Sequence, residues 1–144
     1  MDEAAFRQKS TRMNERPCTF ENAILSGCVK CSRSDHIQIA EREAVTCLSQ
    51  SSLDRCSSLH FNLRNSFSFA LKIGPTEKPV LTHSQEKKVQ CGGLLGIQYV
   101  LHGGTREKVD VDGLLEAVIQ KWGNSSDIPY SEVVHAATTT YKGR

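Results

Sequence analysis

CTFENAILSGCVKCSRSDHIQIAEREAVTCLSQSSLDRC, residues 18–56, carries five of the chain's six cysteines in the spacing C-x9-C-x2-C-x15-C-x8-C. A C-x2-C step on a tight turn brings two sulfurs to one ion or to two corners of one cluster, and it recurs for that reason in zinc and iron–sulfur sites. Cys18, Cys28, Cys31, Cys47 and Cys56 are therefore the candidate metal ligands. A turn pair closed by two flanking residues is the economical set, so Cys28, Cys31, Cys47 and Cys56 are preferred. Cys18 would be a labile ligand, or a substitute for Cys31 if the turn faced the wrong way.

Zinc modules usually close with a second short knuckle, whereas eight residues separate Cys47 from Cys56 and the two flank a helix start. A cubane accepts thiolates from more separated backbone points, which favours a [4Fe-4S] cluster over Zn2+. The spacing matches neither common ferredoxin run. Core packing is the competing explanation for any single cysteine, because cysteine is among the most buried residue types. Cys28–Cys31 is not a haem attachment site, since Ser32 stands where His would be required, and no βαβ setting for a thioredoxin-like pair surrounds it.

Around this stretch, the sequence reads as a mainly α protein: a small helical domain with a cysteine-rich N-terminal half, and a short β element around 37–48 as an alternative to helix there. Residues 1–17 are polar and charged, and read as a flexible N-terminal arm. Residues 18–144 form one helical domain, with a cysteine-cluster half over 18–72 and a C-terminal helical half over 83–144. Gly74, Pro75 and Pro79 mark 73–82 as the connection.

Within the first half, Thr19 can cap a short helix through Phe20, Ala23, Ile24 and Leu25 that stops at Gly27. Asp35–Leu48 fits both helical and strand periodicity. A straight helix there, about 18 Å long, would carry Cys47 away from Cys31, which favours a shorter helix or an extended segment. Ser51 or Ser52 can cap a helix over Ser52–Lys72 with the stripe Leu53, Cys56, His60, Leu63, Phe67 and Leu71. In the second half, helices are expected over Ser84–His102, from Asp110 or Asp112 to Gly123, and from Pro129 toward Tyr141.

Weaker features have simpler explanations. His36 and His60 could tune a cluster through hydrogen bonds to sulfur, but a lone histidine beside an apolar stripe is more often packed. Cys91 beside Gly92 and Gly93 reads as a small residue at a tight helix crossing. Asp110-Val111-Asp112-Gly113 lacks the distal Glu of a calcium loop and reads as a helix cap.

The 144 residues carry a formal net charge of only +2, with basic residues scattered among acidic ones, so a nucleic-acid partner is disfavoured. Met1–Arg16 lacks the apolar core of a secretory signal, and no apolar run suffices for a membrane span. The expected location is the cytoplasm, where thiols are kept reduced and six cysteines would not form a disulfide framework. The expected function is that of a small iron–sulfur protein in electron transfer or redox sensing, an accessory protein rather than an enzyme, whose C-terminal helices dock a protein redox partner or host complex. A zinc-stabilised interaction module without redox chemistry is the alternative, and a metal-free adaptor with buried thiols the third reading.

Overall fold

The structure is a computed structural model and describes residues 14–71, 81–103 and 107–140. Helix dominates these residues, and the strands are short. The first element is α1 (Glu21–Leu25), which ends through Gly27 at φ +87°, a conformation glycine adopts without a Cβ penalty. Thr19 does not cap it; its hydroxyl bonds Ser57 Oγ instead, at 3.2 Å.

β1 (Val29–Lys30) follows, then β2 (Ser34–Ile39) and β3 (Arg42–Cys47), which pair antiparallel with Ser34 opposite Cys47 and Ile39 opposite Arg42. The ambiguous segment is thus a hairpin, turning at Ala40 in the left-handed region (φ 57°). β-Branched Ile37, Ile39, Val45 and Thr46 suit a pleated pair, and Ile39 and Val45 are fully buried.

The segment before Cys18 lies against β3. Cys47 N–H donates to Arg16 O at 2.8 Å, Cys18 N–H donates to Val45 O at 3.0 Å, and the Asn14 amide donates to Val45 O at 3.0 Å. Residues 14–17, expected to belong to a flexible arm, are therefore tied down by hydrogen bonds to β3, and Asn14 is buried; residues 1–13 lie outside the described residues.

α2 (Gln50–Phe67) begins two residues earlier than the sequence indicates, because Ser49 is the residue whose hydroxyl accepts from Ser52 N–H. Its buried face is Leu59, Leu63 and Phe67, spaced by four, and Lys72 falls outside the described residues. Most of the expected 73–82 connection also lies outside them.

The second half resumes with a capping box at Thr82 and Gln85 that starts α3 (His83–Lys87). A π-helical turn (Lys88–Gly92) then leads directly into α4 (Gly93–His102). β4 (Val109–Asp110) pairs parallel with β1, joining two segments some eighty residues apart in sequence. Asp110 caps α5 (Val111–Trp122), which ends at Gly123 as expected. α6 (Tyr130–Thr140) completes the described chain; Tyr141 lies beyond it.

One core joins both halves. Phe20, Leu59, Leu63, Leu94, Ile97 and Val133 are fully buried within it. α4 approaches α6 closely at Gly96, where an added Cβ would lie 2.6 Å from the Val133 carbonyl oxygen. Backbone cannot yield as a side-chain end can, so Gly96→Ala should destabilise the protein by about 1–3 kcal/mol. Gly93→Ala should cost less, since it meets the rotatable end of Leu63. Urea midpoints of the two variants check this order, and equal midpoints would contradict the close helix approach.

Candidate metal centre

The chain between Cys28 and Cys31 is β1, and this decides where the two sulfurs go. An extended residue advances about 3.3 Å and successive side chains alternate in direction, so residues three apart sit about 10 Å apart on opposite sides. Cys28 accordingly turns toward the π-helical turn and is bonded to Cys91. Cys31 turns the other way. The C-x2-C pair is therefore not a knuckle, and the preferred set of Cys28, Cys31, Cys47 and Cys56 is not the set the fold gathers.

The fold gathers Cys18, Cys31, Cys47 and Cys56 instead, around one small cavity floored by Phe20, Ile24 and Val111. These are the four free cysteines of the chain. Each comes from a different place: Cys18 precedes α1, Cys31 follows β1, Cys47 ends β3, and Cys56 lies in the second turn of α2. The exchange of Cys28 for Cys18 follows from β1 being extended and from Cys18 being held to β3 by its own backbone N–H.

Backbone amides are aimed at two of these sulfurs. The Phe20 amide lies beside Cys18, and the Arg33 and Asp112 amides lie beside Cys31, each favouring the charged form of its sulfur. Asp112 lies in the first turn of α5, where unpaired amides and the helix dipole both favour negative charge. Asp110 fixes this arrangement. Its carboxylate accepts from Ser32 N–H at 2.6 Å, from the Ser32 hydroxyl at 3.1 Å, and from Gly113 N–H at 3.1 Å, so one side chain holds the end of β1 against the start of α5.

Against those amides stands desolvation. Burial pushes the Cys18 and Cys56 thiols up from 9.0 to about 12, and the neighbouring cysteines push in the same direction. Burial raises Cys31 as well, with smaller contributions from Asp110 and Asp112. Arg33 and Arg55 approach the cavity but are engaged with Asp112, each at 3.6 Å, and Ser52 donates to the same carboxylate at 3.2 Å. Cys47, also buried, donates its S–H to Ser49 O at 3.1 Å. Cys18, Cys31 and Cys56 are thus held as protonated thiols unless a cation offsets their charge.

With the thiols turned inward the cavity encloses about 20 Å³, the space of one water. Among the described residues no three His, Cys, Asp or Glu side chains stand in a ready arrangement for one metal ion. An all-sulfur donor set from four elements suits Zn2+ or a cluster in kind, while the cavity as it stands has room for about one atom.

The other candidates lie elsewhere. His36 pairs with Glu43 at 2.5 Å on the exposed hairpin. His60 bonds Glu86 and packs edge-on against Phe20, one residue behind the cavity floor. Cys91, read from the sequence as a packing residue, is instead the partner of Cys28, which corrects the expectation that no disulfide would form. The bond closes a loop of 63 residues and contributes about 4 kcal/mol by restricting the unfolded chain. Among the described residues no helix is long and apolar enough to cross a membrane.

No protein-family model, curated protein or solved structure matches the chain.

The raised thiol pKa values set a pH dependence for the metal-free protein. Folded Cys18 and Cys56 hold their protons to about 12, while the unfolded chain releases them near 9.0. Above that lower value the unfolded state binds fewer protons, so stability is full below about pH 9 and falls as pH rises toward 12. Urea titrations of metal-free protein at successive pH values should show this decline, and Cys18→Ser with Cys56→Ser should flatten it. An unchanged slope in that double variant would contradict the burial of these two thiols.

Proposed function

We propose that the chain is a small metal-thiolate protein in which Cys18, Cys31, Cys47 and Cys56 hold an iron–sulfur cluster of the [4Fe-4S] type, acting in electron transfer or redox sensing. The observation that carries this reading is the convergence of four uncommitted thiols, each from a different element, on one cavity. Core packing alone would account for buried cysteines, but it gives no reason for backbone amides to converge on their sulfurs. A neutral thiol gains little from an N–H donor, whereas a metal-bound thiolate gains a charge-assisted bond.

The cluster is favoured over zinc by spacing: Cys47 and Cys56 form no second short knuckle, and the four thiolates come from four separate elements, which a cubane accepts more readily than a single ion does. When bound, such a cluster supplies one-electron chemistry. The chain's own part is to aim the Phe20, Arg33 and Asp112 amides at the sulfurs, lowering the cost of their charge and setting the potential. Phe20, Ile24 and Val111 exclude water from below. Arg33 is the more exposed of the two nearby cations, and it supplies a charged patch where a redox partner could dock. Cytoplasmic residence and a protein redox partner or host complex belong to this proposal.

Zinc held by the same four residues, as a fold-stabilising module, is the second reading; the 20 Å³ cavity favours it, being sized for one atom. Anaerobic purification followed by metal analysis separates the two. Brown protein with about four iron and four sulfide per chain is expected, and colourless protein with one zinc would replace the first reading by the second. Cys18→Ser, Cys31→Ser, Cys47→Ser and Cys56→Ser should each lower metal content several-fold, while Cys28→Ser should retain it. Metal-free protein from anaerobic cells, or equal loading of all five variants, would sink both readings.

A further inference from the structure

We propose that Cys28 and Cys91 form a reversible thiol–disulfide switch that governs how firmly the four-thiol site is held. The switch deepens the metal-thiolate reading and rests on it for its purpose, though not for its chemistry.

Three observations point to a site of exchange. The two residues differ in access: Cys91 is fully buried in the π-helical turn, whereas Cys28 is partly exposed. An incoming thiolate therefore reaches Cys28 Sγ and not Cys91 Sγ, which makes Cys91 the leaving group. The Ser26 hydroxyl lies 3.6 Å from Cys91 Sγ and 3.9 Å from Cys28 Sγ, placed to donate to the departing thiolate. Finally, Cys91 sits in a π-helical turn, a local departure from α geometry that recurs at functional positions.

The step balances with a dithiol reductant. Its first thiolate forms a sulfur–sulfur bond to Cys28 as the Cys28–Cys91 bond breaks, and the electron pair leaves on Cys91, which then takes a proton. The second thiol of the reductant attacks the mixed disulfide, releasing Cys28 as a thiol and leaving the reductant oxidised. Two electrons and two protons pass to the protein.

The consequence for the metal site comes from connectivity. Cys18 and Cys31 lie at the two ends of one segment, 18–31, and Cys28–Cys91 is its covalent tie to the helical half. Its remaining ties to that half are non-covalent: Ala23 N–H to Gln90 Oε1 at 3.0 Å, Asn22 to His83 at 3.2 Å, the β1–β4 pair, and Ser32 to Asp110. Opening the disulfide leaves that segment held by those contacts, by the packing of Phe20, Ala23, Ile24 and Val29 in the shared core, and by the bond from Cys18 to β3, so the two ligands on it move more freely than in the oxidised protein. Cys47 and Cys56 belong to the hairpin and α2 and are not tied this way.

The test uses the full chain in metal-free form. After incubation with glutathione, peptide mass mapping should find the mixed disulfide on Cys28 and not on Cys91. After dithiothreitol, Cys18 and Cys31 should alkylate several-fold faster than in the oxidised protein, with Cys47 and Cys56 unchanged. A disulfide that opens only in denaturant, glutathione found on Cys91, or equal alkylation of all four thiols in both states would overturn the switch. A second measurement loads Zn2+ and follows its loss to a chelator in wild-type protein and in Cys28→Ser/Cys91→Ser. Faster release from the variant is expected, and equal release overturns the coupling. If Zn2+ binds to neither form, the zinc reading fails, while the alkylation comparison still decides the switch; should the variant not fold, that comparison on wild-type protein stands alone.

Discussion

The rest of the molecule depends on a two-residue constraint: Val29 and Lys30 are extended because they pair with Val109 and Asp110. Val29 is driven into the core, and Asp110 ties the strand end to the first turn of α5. With those two residues extended, Cys28 and Cys31 cannot share a centre. One thiol is handed to the helical half and the other to the hairpin side, and the six cysteines divide into a bonded pair and a group of four.

That division also organises the electrostatics. The group of four lies where α5 begins, so amides that a helix leaves unpaired fall beside Cys31. Asp112 occupies the same turn and gathers Arg33, Arg55 and Ser52, keeping the two cations at the rim. The arrangement is costly for four bare thiolates and tolerable for four thiols. On the proposed metal-thiolate reading, a multivalent cation would offset that cost, with the neighbouring amides already beside the sulfurs.

Local signals were legible in the sequence. A cap at Asp110 or Asp112, Gly123 as a stop and the Leu114, Leu115 and Val118 face of α5 follow from capping chemistry and a 3.6-residue period, and the structure selects Asp110 for the cap. The cap of α2 was misplaced because Ser49, Ser51 and Ser52 are chemically alike, and only the backbone conformation at Ser49 selects among them. The hairpin over Ser34–Cys47 fits both helix and strand in the sequence, since its turn is made by Ala40 and Glu41, without the glycine or asparagine that usually announces one. What could not be read was long-range: a two-residue strand has no periodicity, so nothing near Val29 announces a partner eighty positions away. Cys28 was therefore assigned to its sequence neighbour Cys31 instead of Cys91. Grouping the cysteines by density along the chain points to the region where four free thiols line one cavity, with Cys28 in the place the fold gives to Cys18.

The π-helical turn between α3 and α4 carries one more implication. Inserting a single residue into a helix advances everything after it by about 100° of rotation at unchanged direction. In this chain the insertion is what lets Gln90 reach back to α1, Cys91 face Cys28, and Gly96 still meet Val133. A chain shortened by one residue between Lys88 and Gly92 could straighten into regular α-helix, but its two ends would then present incompatible azimuths. Either the sulfur pair or the α4–α6 seam would turn to solvent, so the length of this turn is fixed by geometry on both of its flanks at once.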